Sequence, residues 1–257
     1  SFVSTLTQTT SSPTTARVPW LSVAVVASLL LPVAFYHSVI FPWQANRTGH
    51  IIDSQTMAER RPLYEASVFG SPVGRDFRRV ILAGETAKLL VGLDEERREK
   101  LRETLDAESA LALRGLSDTL ERSPSYVRAH NLSGLLLILR HAYFGDEAAL
   151  SRAQEILEQG VGVNPRNQTI LLALAGVRLA QEADTEAFAL FDRAIELEPD
   201  AQEAWVNKVV ALFIRQDQAA LDALMPQALE RFPGIADELK KLSGFDPQNP
   251  ALYMYFF

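Results

Sequence analysis

The sequence contains no cysteine. That excludes disulfides and thiolate-bound metals, and it leaves the redox character of the compartment open, because a chain without thiols suits either kind. Histidine is nearly as scarce, with only His37, His50, His130 and His141. None has a partner at H-x-x-x-H spacing, and His130 and His141 fall about three turns apart on one predicted helix, too far to share an ion. There is no glycine-rich phosphate loop, no G-x-S-x-G elbow and no pair of carboxylates in a catalytic setting. Positive charge is in deficit, with 25 Lys and Arg against 32 Asp and Glu and a formal net charge of -7. Nucleic-acid binding relies on clustered cations that release counterions, so no nucleic-acid partner is expected. The sequence predicts no catalytic residue, no cofactor and no metal site.

Charge is also missing from one long stretch. From Val18 to Ala45 there is no Asp, Glu, Lys or Arg. A hydrocarbon core about 30 Å thick needs roughly 20 apolar residues as a helix, so this run is long enough to cross it. Trp20 and Trp43 stand 23 positions apart, which at about 1.5 Å per residue puts the two indoles at opposite headgroup layers. A cleaved signal peptide would have a shorter apolar stretch behind a basic start, whereas here a neutral Ser/Thr-rich segment precedes it. A buried water-soluble helix would have to absorb Pro32 at a cost of about 3 kcal/mol, while bilayers tolerate such kinks. His37 reads as a snorkelling polar group. Arg17 precedes the run and Arg47, Arg60 and Arg61 follow it, which by the positive-inside tendency favours a cytoplasmic carboxyl side. The expected partner of residues 18–43 is a lipid bilayer, read as a bacterial inner membrane spanned once by this segment. Since the chain opens with Ser1, earlier spans of a longer protein are compatible with it.

What the chain does have is a period. Pro165, Pro199 and Pro233 are spaced by 34 residues, with Gly160, Ala194 and Ala228 five positions before them and Leu157, Phe191 and Met225 eight before. Pro124 precedes Pro165 by 41, one period plus seven residues, and the extra residues are expected around His141 to Gly145 between two helices. Antiparallel helices approach closely only where small side chains meet, so a recurrent Ala or Gly marks a crossing and the neighbouring Leu or Phe fills it. Proline ends each pair. Asp200 followed by Glu203 predicts an N-cap for the helix that carries Trp205.

These residues resemble the tetratricopeptide repeat family. Ala187, Phe191, Ala194 and Pro199 match its second-helix pattern, and Leu171, Leu174 and Ala175 its first-helix pattern. Gly134 takes the small position of the preceding unit and Trp205 the aromatic position of the following one, while Lys208 and Leu221 depart from it. The resemblance implies an all-α fold: an N-terminal transmembrane helix, then an alpha-solenoid of antiparallel helix pairs. A second resemblance lies in the order of elements. An apolar span, an amphipathic helix, the turn SPVG followed by an Arg-rich helix (SPVGRDFRR), and then repeats is similar to the C-terminal part of bacterial O-antigen ligase or polymerase-like membrane proteins. In that family the chemistry belongs to other parts of the chain, so no catalytic residue transfers.

The predicted organisation is a polar segment over 1–17, a transmembrane helix over 18–43, an irregular helical region over 44–124, about three repeats over 125–233, and a C-terminal helix with an aromatic tail over 234–257. Within 44–124, SQTMAERRPLYEAS and DFRRVILAGETAKLLVGL show helical spacing, and the charge run at 94–103, with Glu96 and Lys100 at i,i+4, reads as a solvated helix face. Asn46, Asn131 and Asn167 match the glycosylation tripeptide by chance. Residues 251–257 are expected to fold back and cap the last repeat, whose apolar face is otherwise uncovered; the competing reading of this apolar run is a free sticky end or an interaction motif. Three functions from different classes fit: a scaffold holding a protein or peptide ligand in the solenoid groove, the non-catalytic portion of a glycan ligase or polymerase-like protein of the cell envelope, and a membrane-tethered adaptor or spacer unrelated to glycan transfer.

Overall fold

The computed structural model describes residues 75 to 257 except 243. The predicted span over 18–43, the polar segment over 1–17 and the SPVG turn lie outside the described residues. Among the described residues, no helix is long and apolar enough to cross a membrane.

The described chain is all-helical. Its α-helices are α1 (Arg75–Gly92), α2 (Glu95–Lys100), α3 (Arg102–Arg122), α4 (Val127–Phe144), α5 (Ala149–Val163), α6 (Gln168–Ala180), α7 (Asp184–Leu197), α8 (Gln202–Ile214), α9 (Gln218–Arg231) and α10 (Ile235–Leu242), and a 3-10 helix follows at Pro250–Phe256. Four pairs pack together: α1 with α3, α4 with α5, α6 with α7, and α8 with α9. Side-chain bonds show the antiparallel direction of two of these pairings. Arg79 at the start of α1 reaches Asp118 near the end of α3 at 3.1 Å. Gln168 at the start of α6 donates to the carbonyls of Ala194 and Glu198 at the end of α7. Successive pairs touch as well, α3 on α4, α5 on α6 and α7 on α8, and the first helices also contact one another, α1 with α4, α4 with α6 and α6 with α8.

Proline sets the period by acting on its predecessor. Pro124, Pro165, Pro199 and Pro233 each stand two residues past the end of α3, α5, α7 and α9. The residue between, Ser123, Asn164, Glu198 or Phe232, has φ between -136° and -141° and ψ between 73° and 86°. Pro Cδ clashes with a preceding residue in the α region, so helix propagation stops there. In all four cases the last amide still bonds back to the carbonyl four residues earlier, that of Thr119, Gly160, Ala194 or Ala228. Gly160, Ala194 and Ala228 are buried.

Two expectations are corrected here. The seven extra residues of the first repeat form no loop between helices. They lengthen α4 by five residues and α5 and the connecting turn by one each relative to α6 and α7. The long α4 then reaches back to α3, where Arg140 meets Asp106 at 2.7 Å. Nor does Asp200 cap α8. The cap position falls one residue later, on Ala201, which makes no side-chain bond, and Asp200 pairs with Arg231 of α9 at 3.0 Å.

Departures from the repeat pattern are accommodated locally. Lys208 keeps its ammonium near the surface and pairs with Asp192 of α7, and Leu221 is buried in α9. The charge run forms α2, with no buried residue, an Asp94 cap and the Glu96–Lys100 pair at 2.6 Å. Residues 75–122, expected to be irregular, form a helix pair with α2 inserted between its members.

Candidate functional site

The helical ladder satisfies its own backbone, so any site must come from side chains on an exposed face or from gaps between helices. Chemistry is poorly supplied. Among the described residues, no group of three or more His, Asp or Glu is placed to hold a metal ion. His130 lies between two carbonyls, Nδ1 at 2.8 Å from that of Ile156 and Nε2 at 2.7 Å from that of Pro124, and its one N–H donates to one of them. His141 Nδ1 contacts the Asp146 carbonyl at 3.3 Å across the α4–α5 turn. The cluster of Asp76, Arg79, Asp118, Thr119 and Arg122 ties α1 to α3. Burial works to raise the Asp76 carboxyl, but hydrogen bonds from Arg122 and Thr119 and the Arg122 and Arg79 charges outweigh it and hold the group below the ordinary carboxylate range. This is a structural ion network rather than an acid/base pair. Asn131 is buried and Asn167 caps α6 by accepting from the Ile170 amide at 3.0 Å, so neither is presented as a glycan acceptor.

The feature that stands out is the face made by the first helices of the repeat pairs. The 3-10 helix Pro250–Phe256 packs on α4, α6 and α8 together. The aromatic tail therefore does not cap the last repeat, which corrects the expectation for residues 251–257. The outer end is covered by α10, which packs on α8 and α9 through its buried Ile235 and Leu242. The physical reason is shape. Three adjoining helices give the run a continuous seat, with Gly176 and Gly134 leaving room for the Phe256 and Phe257 rings.

The seat is shaped by glycines. A Cβ built on Gly176 would lie 2.8 Å from Phe256 Cδ2 and 2.9 Å from Phe256 Cβ and Cγ. One built on Gly134 would lie 2.8 Å from Phe257 Cε1 and 2.8 Å from Leu157 Cδ1. Each glycine lets a ring rest against helix backbone. Through the gap at Gly176, Phe256 reaches Phe191 of α7 with ring centroids 5.6 Å apart, and Tyr253 meets the Phe256 ring edge-on at 5.8 Å. Such aromatic pairs add about 0.5–1.5 kcal/mol each beyond the area they bury. Leu252 and Phe256 are 0% and 1% exposed. Burial pushes the Tyr253 phenol up; the Arg215 charge opposes this, and Asp184 and Glu182 reinforce it. Asn249 starts the segment by accepting from the Ala251 amide at 2.9 Å, with Pro250 in the first turn.

Sequence reasoning named the groove and the tail separately and did not join them. Gly134 stood out only as a small repeat residue and Gly176 not at all. A signal was present at one further position. His130 and Trp205 each stand six residues after a repeat proline, and each meets that proline's carbonyl, Trp205 Nε1 donating to Pro199 at 3.1 Å. At the same position Leu171 has no donor, and the Pro165 carbonyl is instead bonded by Arg193 at 2.8 Å. No protein-family model and no curated protein matches this sequence, so its assignment stands on the residues and geometry above.

Proposed function

We propose that this chain is a membrane-anchored scaffold of tetratricopeptide-type repeats that holds a protein or peptide ligand along the face of α4, α6 and α8, and that it is the non-catalytic C-terminal portion of an O-antigen ligase or polymerase-like protein of the cell envelope. The observation that carries the binding role is the seat itself. One face formed by three successive first helices already accommodates a short apolar 3-10 helix, with glycines where its rings rest. Stacked helix pairs that leave one face of first helices free for a ligand are the working principle of repeat scaffolds. The repeat reading is supported by the 34-residue register of Pro165, Pro199 and Pro233, each two residues past a helix end. The membrane reading is supported by the uncharged run Val18 to Ala45.

Two measurements test it. Alkaline carbonate extraction of the full chain is expected to leave it in the membrane pellet, and recovery in the soluble fraction ends the anchored reading. A photo-crosslinking residue at Glu203, beside the seated segment, is expected to capture a partner that the same residue at Glu155 of α5 does not. Equal capture at both places, or at neither, removes the binding role.

A further inference from the structure

The binding face carries an occupant from its own chain, and the manner of attachment shows how firmly. Among the described residues, the hydrogen bonds of residues 250–257 stay within the segment and its Asn249 cap: the Ala251 amide donates to Asn249 Oδ1, the Leu252 amide to the Asn249 carbonyl, and the Phe257 amide to the Met254 carbonyl. The helices below contribute apolar surface and two bare glycine backbones. The segment's own connection is light, since Gly244, Phe245, Asp246 and Gln248 are exposed. It does not fill the face either, and a recess of about 360 Å³ lined by Glu203, Val206, Asn207 and Glu238 remains alongside Tyr255.

Attachment by apolar contact alone has a consequence. A hydrogen-bonded element has directional donors and acceptors that a replacement must reproduce. A segment that makes no such bonds can be exchanged for another of like shape and polarity at little net cost. Resting in its seat, it also shields the glycine-backed apolar strip that would otherwise form an exposed patch.

We propose that residues 250–257 are a displaceable internal occupant of the face, and that the external partner presents the same chemistry: an uncharged segment with two consecutive aromatic rings, seated at Gly176 and Gly134. This rests on the reading of the chain as an interaction scaffold. The tail then acts as a gate, since its tethering gives it a local concentration on the order of millimolar, and a partner binds only in so far as it outcompetes that tether.

The experiment uses the full chain in detergent and a labelled peptide KKNPALYMYFF, followed by fluorescence anisotropy. In a variant with Phe256→Asp and Phe257→Asp the tail is released, and saturable binding is expected at least tenfold tighter than to the unaltered chain. Adding Gly176→Leu to the released variant is expected to abolish binding while the helical circular dichroism is kept. Peptide in which both phenylalanines are serine is expected not to bind. The idea is overturned if the unaltered chain binds as tightly as the released one, if Gly176→Leu leaves binding intact, or if the unaltered chain elutes as a dimer joined through exchanged tails. Should the released variant fail to fold, amide exchange on the unaltered chain decides: saturating peptide is expected to deprotect Leu252 to Phe256, and unchanged protection overturns the proposal. Failure of the scaffold reading looks different, since there the peptide binds as expected but the crosslinker at Glu203 captures nothing from membranes.

Discussion

Phe256 lies against the backbone of Gly176, in the space that any larger residue at 176 would fill. Gly176→Ala therefore sets two terms against each other. Alanine improves helix propensity by about 1 kcal/mol, while the new methyl meets Phe256 Cβ and Cγ at 2.9 Å, atoms too close to the chain to swing aside. Overpacking of this kind costs about 1–3 kcal/mol, so a net loss is expected. Gly84→Ala in α1 is the control, because nothing lies within 4 Å of its Cβ, and it is expected to gain up to about 1 kcal/mol. Chemical denaturation of the two variants checks the pair, and a stabilised Gly176→Ala would contradict the seated ring.

Tail docking is expected to be sensitive to alkali. The phenol of Tyr253 is raised above its ordinary value of 10.0, with burial the first cause. The sign follows from linkage: the docked state favours the neutral phenol, so its stability is whole below the unfolded value and falls as pH climbs past it. Tyr143 is raised as well, again by burial and against the opposing charge of Arg98. The tail's share is therefore isolated by comparison. Thermal melts at about pH 8 and about pH 11, either side of the ordinary tyrosine value, should show a smaller drop for Tyr253→Phe than for the unaltered chain. Equal drops would remove Tyr253 from the effect.

The turns inside the second and third repeats hold a non-glycine residue in the left-handed region, Glu182 at φ 60° and Gln216 at φ 54°. The first repeat uses Gly145 there, at φ 71°. A left-handed conformation costs a side-chain-bearing residue about 1–2 kcal/mol, and glycine gives back part of that gain through its freer unfolded chain. Gln216→Gly is expected to raise stability by about 0.5–1 kcal/mol. A drop on thermal denaturation would mean that the side chain makes a contact worth more than the strain.

Much of the fold was legible because proline and small residues act on the backbone locally. Pro165, Pro199 and Pro233 end helices through their steric effect on one neighbour, and a fixed interval reports it directly. The split of the extra residues between α4 and its turn was not legible, because the stretch His141 to Gly145 reads equally as helix end or loop, and the longer helix is favoured by distant contacts, Arg140 with Asp106 and Ser109 and Arg98 over the Tyr143 ring. Asp200 has the composition of a cap, but Arg231, 31 residues away, competes for it. The seat of the tail was the least legible. Its halves, Gly134 with Phe257 and Gly176 with Phe256, lie 123 and 80 positions apart, and no spacing rule relates them.

The final prediction concerns His130 and Gly160. The imidazole lies between the carbonyls of Ile156 and Pro124, one of which accepts its N–H, and its Cγ lies 3.0 Å from where a Cβ on Gly160 would sit. A ring confined between two carbonyls has little room to retreat, so Gly160→Ala should cost stability in spite of its better helix propensity. His130→Leu reproduces the residue that the next repeat carries at Leu171, but without the equivalent of Arg193 to bond the proline carbonyl. Its expected cost is about 0.5–1.5 kcal/mol, the net worth of one hydrogen bond, since water can reach the exposed Pro124. In that background the leucine side chain is free to choose another rotamer, and Gly160→Ala should become neutral or stabilising. A double-mutant cycle measured by chemical denaturation is therefore expected to show a coupling of about 0.5–3 kcal/mol, the range for residues in contact. Additive effects would mean that the ring does not rest on Gly160, and that the crossing of α4 and α5 is set by Gly134 and Leu157 alone.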